Sequence, residues 1–539
     1  MGEVQQRFLA ALTAVAILAP AGAAGQKFYR DDPLWQMPQP MDASGAVERK
    51  LEELYEFLYM TFGKPAAPVE PVAAGATNTL GEVPDSLWYT NRHGKKRMSI
   101  DELVRGPGNS TPPSPRGAWR VVAAKTEGVT PGFTIKDSTG QRYQIKFDWQ
   151  TNFELPTGAD VMGSKFFHAL GYFTPENYIV YFNAEQLTVQ PGTRLIDYRG
   201  VDREMKQSDI IRVLQPIPRD PRTGQYRAVA SRFLEGKPLG PFRYHGLRTD
   251  DPNDIVPHQN RRDLRGLKVF AGWLQHTDTK PLNSLDMLVE QNGRKVIRHH
   301  LIDFSASFGT DAFEPKSPRA GNVHMLDWPD AAKSFFSFGL YMPAWSRADY
   351  KHKHGVGRIE SETFRPDDWK SHYYNPAFAN CLPDDAFWAA KQVMRFTEPE
   401  IRALVATAQY SDAEAVDYLV KVLIERQRRI GQWAFAQVLP LDNFVADRGS
   451  LRFEDLGVTY RFTEPQTYKI GWSNFDNASG QSTSIAGASG SHIPSGRDGY
   501  LLATLDAGEP AKQVRVYLLR RGGSVSVVGI ERGWRAPSS

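Results

Sequence analysis

The stretch HTDTKPLN, His276 to Asn283, gathers a histidine, an aspartate, a lysine and an amide into one short segment. Pro281 blocks helical continuation, so Asp278 and Asn283 belong to a loop. The segment before it, RRDLRGLKVFAGWLQH, spaces Leu264, Leu267, Phe270 and Leu274 along one apolar helical face. The segment after it, SLDMLVE, opens a hairpin pattern that returns as VIRHHLIDFSASFG, where Leu301 and Ile302 carry Asp303 to the end of a strand. Any one of these polar residues alone reads as a turn residue or a cap. Two acids and an amide at loop ends, in this order, suit magnesium, a hard cation that prefers oxygen ligands.

Upstream of the helix the texture is that of strands. AWRVVAA, GFTIKD and RYQIKFDW are short, β-branched and aromatic, and turns rich in Gly, Thr and Ser separate them. A helix, TGADVMGSKFFHALG, follows, with Met162, Phe166 and Leu170 on one face. Next come the strand ENYIVYF, a long polar insertion over 183–224, and the strand YRAVASRFL. Phosphoryl transfer from a nucleotide needs a turn over the phosphates, a lysine to neutralise them, oxygen ligands for metal, and a carboxylate to orient the attacking hydroxyl. The turn TEGVTPGF, with Gly128 and Gly132, fits the first need. Lys146 fits the second; flanked by Ile145 and Phe147, it points to the other face of its strand, towards solvent or a nucleotide cleft. Asp160 is a candidate partner for it, with Glu154 as the rival. Thr157-x-x-Asp160 also reads as a capping box with an acid in the first turn.

HTDTKPLN resembles the catalytic loop His-Arg-Asp-Leu-Lys-Pro-Glu-Asn of protein kinases, and IDFS resembles their Asp-Phe-Gly motif. The matches are His276, Asp278, Lys280, Pro281 and Asn283, then Asp303 and Phe304. The helix after YQIKF is similar to that of the HipA and phosphatidylinositol-kinase group and, more loosely, of secretory-pathway and CotH kinases. The resemblance spans residues 118–435 and implies ATP and Mg as cofactors. It implies that Asp278 orients the acceptor hydroxyl, Lys280 sits near the γ-phosphate, and Asn283 and Asp303 hold the metal. Lys146 would contact the α/β phosphates with Asp160 as its helix partner, and the backbone at Phe233, Leu234 and Glu235, in SRFLEGKPLG, would meet the adenine. The chain departs from the pattern in several places: it has no G-x-G-x-x-G, Thr277 replaces the arginine, Ser305 replaces the glycine, and no A-P-E motif follows.

The chain has 539 residues, 41% hydrophobic and 23% charged, which predicts a multidomain globular protein. A net charge of +4 gives no electrostatic reason to expect nucleic acid. Cys381 is the single cysteine, so an internal disulfide and a cysteine-built metal site are excluded. At the start, Arg7 precedes an apolar run from Phe8 to Ala19, then Pro20 and small residues at Ala21 to Ala23, the pattern of a signal peptide over 1–23. Export to the periplasm or the extracellular space is therefore expected, with no transmembrane anchor. Export and ATP chemistry pull against each other, because little ATP lies outside a bacterial cytoplasm.

Residues 24–117 read as an N-terminal extension with a Pro/Ala linker. Its helix, SGAVERKLEELYEFLYMTF, is predicted from Val47, Leu51, Leu54, Leu58 and Phe62, with Ser44 as N-cap. Beyond a loop-rich stretch over 309–383, three helices follow, two of them starting at the capping signals Thr397-x-x-Glu400 and Ser411-x-x-Glu414. After Leu441 the patterns VTYRF, TYKIGW, YLLATL, QVRVYLLRR and SVSVVGI predict strands, with a Gly/Ser-rich loop at 475–498. The fold class expected is α+β: a kinase-like β-rich N-lobe over 118–235, a helical C-lobe over 236–440 and a small all-β module over 441–539. Adjacent His299 and His300 point to opposite faces of a strand and form no joint metal site. Within HKH, 352–354, the histidines read as solvated, and Trp472 and Tyr500 read as sandwich core rather than a carbohydrate surface. The leading functional reading is a phosphotransferase acting on an unidentified hydroxyl-bearing acceptor; the alternative is a catalytically inactive kinase-like scaffold of the cell envelope.

Overall fold

The structure, a computed structural model, describes residues 25–108, 111–124, 132–196, 200–311, 313–338, 340–351 and 353–534. The expected signal segment 1–23, Gly128 and His352 lie outside the described residues. The N-terminal extension holds two short helices, α1 (Glu53–Leu58), continued by one π-helical turn over Tyr59–Gly63, and α2 (Ile100–Arg105). The long apolar-faced helix predicted here is therefore cut to its second half. Ser44 caps nothing helical, and Val47, Leu54, Leu58 and Phe62 are exposed. Periodicity alone did not reveal that this face lacks a cover.

Next come β1 (Trp119–Ala124), β2 (Gly132–Lys136), β3 (Arg142–Phe147), α3 (Leu155–Ala169) and β4 (Asn177–Phe182). The insertion then supplies β5 (Leu187–Val189), β6 (Arg194–Ile196), β7 (Asp202–Glu204) and α4 (Gln207–Leu214), ahead of β8 (Tyr226–Arg232). Six of these strands form one sheet in the order β4-β8-β3-β2-β1-β5, antiparallel except where β5 joins β1. Tyr143, Ile145 and Phe147 point into a core shared with Phe133, Ile135 and Trp119. The polar insertion is not a plain loop: Met205 and α4's Ile210 and Leu214 close that core. On β3's opposite face stand Gln144 and Lys146, as strand alternation requires.

The chain leaves β8 through 233–236 into β9 (Lys237–Pro238), then forms α5 (Arg262–Trp273), β10 (Ser284–Gln291) and β11 (Arg294–Leu301). The apolar face of α5 packs against α8 (Pro383–Met394) and α10 (Ala413–Ala436) in the largest core, which also takes in Phe166 and Phe167 of α3. Between them lie α6 (Trp328–Phe336), α7 (Pro376–Ala379) and α9 (Glu398–Ala406), so the loop-rich stretch carries two helices the sequence did not announce, α6 and the single turn α7. Glu400 bonds Thr397 as predicted, at 2.8 Å to both its amide and its hydroxyl. The other predicted cap shifts by one residue: Asp412 caps α10, and Ser411 donates instead to Glu154. No helix among the described residues is long and apolar enough to cross a membrane.

The last part holds the hairpin β12 (Leu441–Asp447) and β13 (Ser450–Asp455), the short α11 (Leu456–Thr459), and a five-stranded sheet. Its strands are β14 (Lys469–Phe475), β15 (Ser482–Ser489), β16 (Gly499–Asp506), β17 (Val514–Arg521) and β18 (Ser524–Arg532). Two expectations are corrected: VTYRF begins as a helical turn capped by Asp455, and the Gly/Ser-rich loop contributes β15. Trp472 is buried core. The N-terminal extension straps this sheet. Phe28 packs on Tyr517 and Tyr500 with centroids 5.0 and 5.8 Å apart, and the Thr79 carbonyl accepts from the Ile530 amide at 2.9 Å.

Candidate active site

Lys146 and Asp160 meet because both of their elements are pinned from behind. Asp148, just past β3, accepts from the Thr157 amide and hydroxyl of α3 at 3.0 and 2.8 Å and from Arg227 of β8 at 2.9 Å, all three residues being buried. Thr157 thus spends its groups on Asp148. The helix begins at Leu155 after Glu154, which has φ 70°, so Asp160 sits in the second turn. This overturns the capping-box reading of Asp160. It also settles the rival: Glu154 accepts from the Ser411 amide at 2.9 Å, away from Lys146.

The Lys146 Nζ lies 3.2 Å from Asp160 Oδ2 and 3.2 Å from Asp303 Oδ2. Burial would push this lysine down, but the Asp160 and Asp303 carboxylates outweigh it and hold the ammonium above its usual range. Asp160 is 1% exposed. Burial pushes its carboxyl up against the pull of Lys146, and its Oδ1 accepts from Asn177 Nδ2 and the Phe304 amide, each at 3.0 Å. Asp303 differs: its side chain is 40% exposed and its φ is 56°, a left-handed conformation that aspartate tolerates better than most residues. Ser305, in the place of the motif's glycine, donates its hydroxyl to Asp303 Oδ1 at 2.6 Å. Phe304 is buried and stacks on Phe167 at 5.1 Å. That close approach needs Gly163, where a Cβ would stand 2.4 Å from Phe304 Cβ.

The catalytic-loop candidate is fastened from below. Helix α5 ends at Trp273, the chain turns through Gln275 at φ 50°, and buried Arg426 of α10 donates to the Gly272 carbonyl and to Gln275 Oε1, each at 2.6 Å. His276 is buried beneath Phe304 and bonds Ser307 Oγ at 3.0 Å, and burial pushes its pKa down to about 4, which leaves it neutral. Asn283 Nδ2 donates to Asp278 Oδ2 at 3.0 Å and to its carbonyl at 2.8 Å. The Ile302 amide donates to the Asn283 carbonyl at 3.0 Å, so the loop and the segment carrying Asp303 are joined directly.

Of the predicted residues, the structure brings Lys146, Asp160 and Asp303 into one cluster and Asp278, Lys280 and Asn283 into a second beside it. Gly132 sits opposite Lys146 in the strand register. Lys280 Nζ is 3.5 Å from Asp278 Oδ2 and closer, at 2.6 Å, to Glu53 of α1. Burial works against the charge of Lys280, but Asp278 and Glu53 hold it raised. Phe233, Leu234 and Glu235 form the exit from β8, next to β3. The Phe233 amide donates to the Arg142 carbonyl at 3.1 Å, which ties this exit to β3. Leu234 packs near Met287 and Val296, and Glu235 acts electrostatically on Arg298.

Sequence reading missed four contributors. Glu53 and Gly163 are two. The others are buried Lys316, 3.1 Å from His372 Nε2, and His372 itself, whose amide donates to the Thr277 carbonyl at 2.8 Å. Burial pushes Lys316 down, opposed by Asp311 and by Asp278, which puts a second lysine within electrostatic reach of Asp278.

No protein-family model matches the chain, and no curated protein matches it. Among solved structures, the chain is similar to two forms of the Golgi casein kinase. One, without a stated ligand, shares 9% identity at a TM-score of 0.28, covering 75% of this chain and 95% of that one. The other, with Mn/ADP bound, shares 10% identity at 0.28, covering 75% and 94%.

Proposed function

We propose that the protein is an ATP- and Mg-dependent phosphotransferase of the atypical kinase type, with a bilobal arrangement of residues 118–235 and 236–440 around the site. The observation that carries this reading is Lys146, held at 3.2 Å from both a buried helical acid, Asp160, and a half-exposed acid, Asp303. A purely structural ion pair has no need of a second acid turned to solvent in a left-handed conformation. A phosphate clamp beside a metal site needs that arrangement.

The donor set fits the implied metal. Asn283 uses its Nδ2 on Asp278, which leaves its Oδ1 available, and the Asp303 carboxylate is accessible. Among the described residues no cluster of three or more His, Cys, Asp or Glu forms a metal cage. Magnesium bound through one or two protein oxygens, with phosphate and water filling the rest, needs none. When bound, it would neutralise charge on the β/γ phosphates. Lys146, oriented by Asp160, binds the α/β phosphates. Asp278, steadied by Asn283, accepts the proton of the acceptor hydroxyl as that oxygen bonds to the γ-phosphorus and the bridging P–O bond to the β-phosphate breaks. The released product is ADP. Lys280 stands beside Asp278 to neutralise charge on the transferred group. The apolar run from Phe8 to Ala19 supports export of this enzyme.

The test is transfer of γ-labelled phosphate from ATP to an envelope extract. The parent chain is expected to label an acceptor and Asp278→Asn to lower the rate at least about a hundredfold. Labelling by the variant at the parent rate, or by neither chain, contradicts the proposal.

A further inference from the structure

Residues 325–338 and 340–347 form an excursion whose amphipathicity is inverted. The buried residue of α6 is an acid, Asp330, which faces Arg319 at 3.6 Å. Its large apolar residues point outward. Phe335 and Phe336 are 77% and 76% exposed, and Phe338 and Leu340 just beyond are 94% and 86% exposed. Trp328 and Met342 are exposed as well. Soluble surfaces scatter single apolar residues, but a run of this kind marks an interaction site.

The charges of the excursion are one-sided. Its acids are Asp327, paired with Lys370 at 3.0 Å, and Asp330, already paired. The exposed charged side chains over 328–347 are Lys333 and Arg347. The base of the excursion is tied to the catalytic loop: the Met325 amide donates to the His372 carbonyl at 2.8 Å, and the His372 amide donates to Thr277. Beside this base lies α1, whose Phe57 packs on Tyr373 at 5.0 Å and whose Leu54, Tyr55 and Leu58 are exposed.

We propose that this aromatic excursion docks the protein onto an anionic phospholipid surface. Nearly bare aromatic and aliphatic side chains form a projecting tip, not a flat patch. The headgroup region of a bilayer accepts such a wedge without shape complementarity, whereas a protein partner would have to offer a matching groove. Over 328–347, outward Trp and Phe with Lys333 and Arg347 and no exposed acid is the composition that an interfacial helix requires; exposed Asp349 and Glu53 of α1 lie outside that span and are paired with Lys351 and Lys280. Docking through it would set the Asp278 loop close to the membrane surface. The inference does not rest on the chemistry proposed above.

The test is co-sedimentation of the full chain with vesicles of phosphatidylethanolamine and phosphatidylglycerol, and with phosphatidylcholine alone. An environment-sensitive dye on Phe338→Cys, in a Cys381→Ser background, reports local insertion separately from any contribution of residues 1–24. The dye is expected to shift to shorter wavelength on the anionic vesicles and to shift far less on phosphatidylcholine. Phe335→Ser with Phe336→Ser, and separately Lys333→Glu with Arg347→Glu, is expected to weaken binding by about tenfold or more while circular dichroism stays unchanged. No dye shift on anionic vesicles, equal shifts on both vesicle types, or a shift only on self-association of the protein overturns it; the last would assign the tip to a second copy of this chain.

Discussion

Replacing Lys146 by methionine separates what this lysine does for the fold from what it does for the nucleotide. Asp160 is buried and faces Lys146 through Oδ2, while its Oδ1 keeps Asn177 and the Phe304 amide. Removing one partner of a buried pair costs about 3–5 kcal/mol if the charge left behind stays ionised. The stranded carboxyl has a cheaper escape, protonation, which for an ordinary aspartate costs about 4 kcal/mol at pH 7 and about 1.5 kcal/mol at pH 5. Lys146→Met is therefore expected to destabilise by about 3–4 kcal/mol at pH 7 and by clearly less at pH 5. The sign follows from linkage. In the variant, burial raises the folded-state pKa of Asp160, so stability is full below its unfolded pKa and declines as pH rises towards the folded one. Adding Asp160→Asn removes the stranded charge, keeps an Oδ1 acceptor for Asn177 and Phe304, and is expected to recover most of the lost stability without recovering ATP binding. The assay is thermal unfolding of both variants and the parent at the two pH values, with calorimetric ATP titration alongside. Lys146→Met as stable as the parent at pH 7, or a double variant no more stable than the single, would refute the reasoning.

Two further substitutions probe the surroundings. Gly163→Ala brings a methyl group to 2.4 Å from Phe304 Cβ. Overpacking of this kind costs about 1–3 kcal/mol, and because Phe304 adjoins Asp303 the affinity for Mg-ATP is expected to fall about tenfold; a normal melting temperature with normal affinity would contradict this. Glu53→Ala frees Lys280 from an exposed partner at 2.6 Å. Stability should change by less than about 1 kcal/mol, and the transfer rate should rise by no more than about fivefold, the equivalent of one surface pair; a fall in rate would show that Glu53 serves catalysis instead of restraining Lys280.

The local pattern carried much of this architecture. Alternation on β3 put Lys146 on the face away from the Ile145 core, and 3/4 spacing placed α5 ahead of the Asp278 loop, because both signals are local to a few residues. The choice between Asp160 and Glu154 was not legible, since it turns on Ser411, a residue 257 positions from Glu154. The start of α3 was misread because Thr157, a good cap by type, is claimed by Asp148 in tertiary structure. The helix predicted over SGAVERKLEELYEFLYMTF forms only in its second half, which packs through Phe57 and Met60 while the predicted face, Leu54, Leu58 and Phe62, stays exposed. Glu53 and Lys280, 227 residues apart, could be paired only in space. The proximity of Asp278, Asn283 and Asp303 was legible because the first two share one short loop and the hairpin of β10 and β11 brings the chain back beside it, where the Ile302 amide bonds the Asn283 carbonyl.

The central claim is that Lys146, Asp303 and Asn283 form one nucleotide–metal site. Calorimetric titration of the protein with ATP, with and without magnesium, tests it most directly. The account predicts binding that needs magnesium and is lost in Asp303→Ala, while the variant without nucleotide stays folded, its melting temperature lowered only by an alanine held at φ 56° and by the loss of one half-exposed partner of Lys146. Magnesium-independent binding, or undiminished affinity in Asp303→Ala, would contradict it.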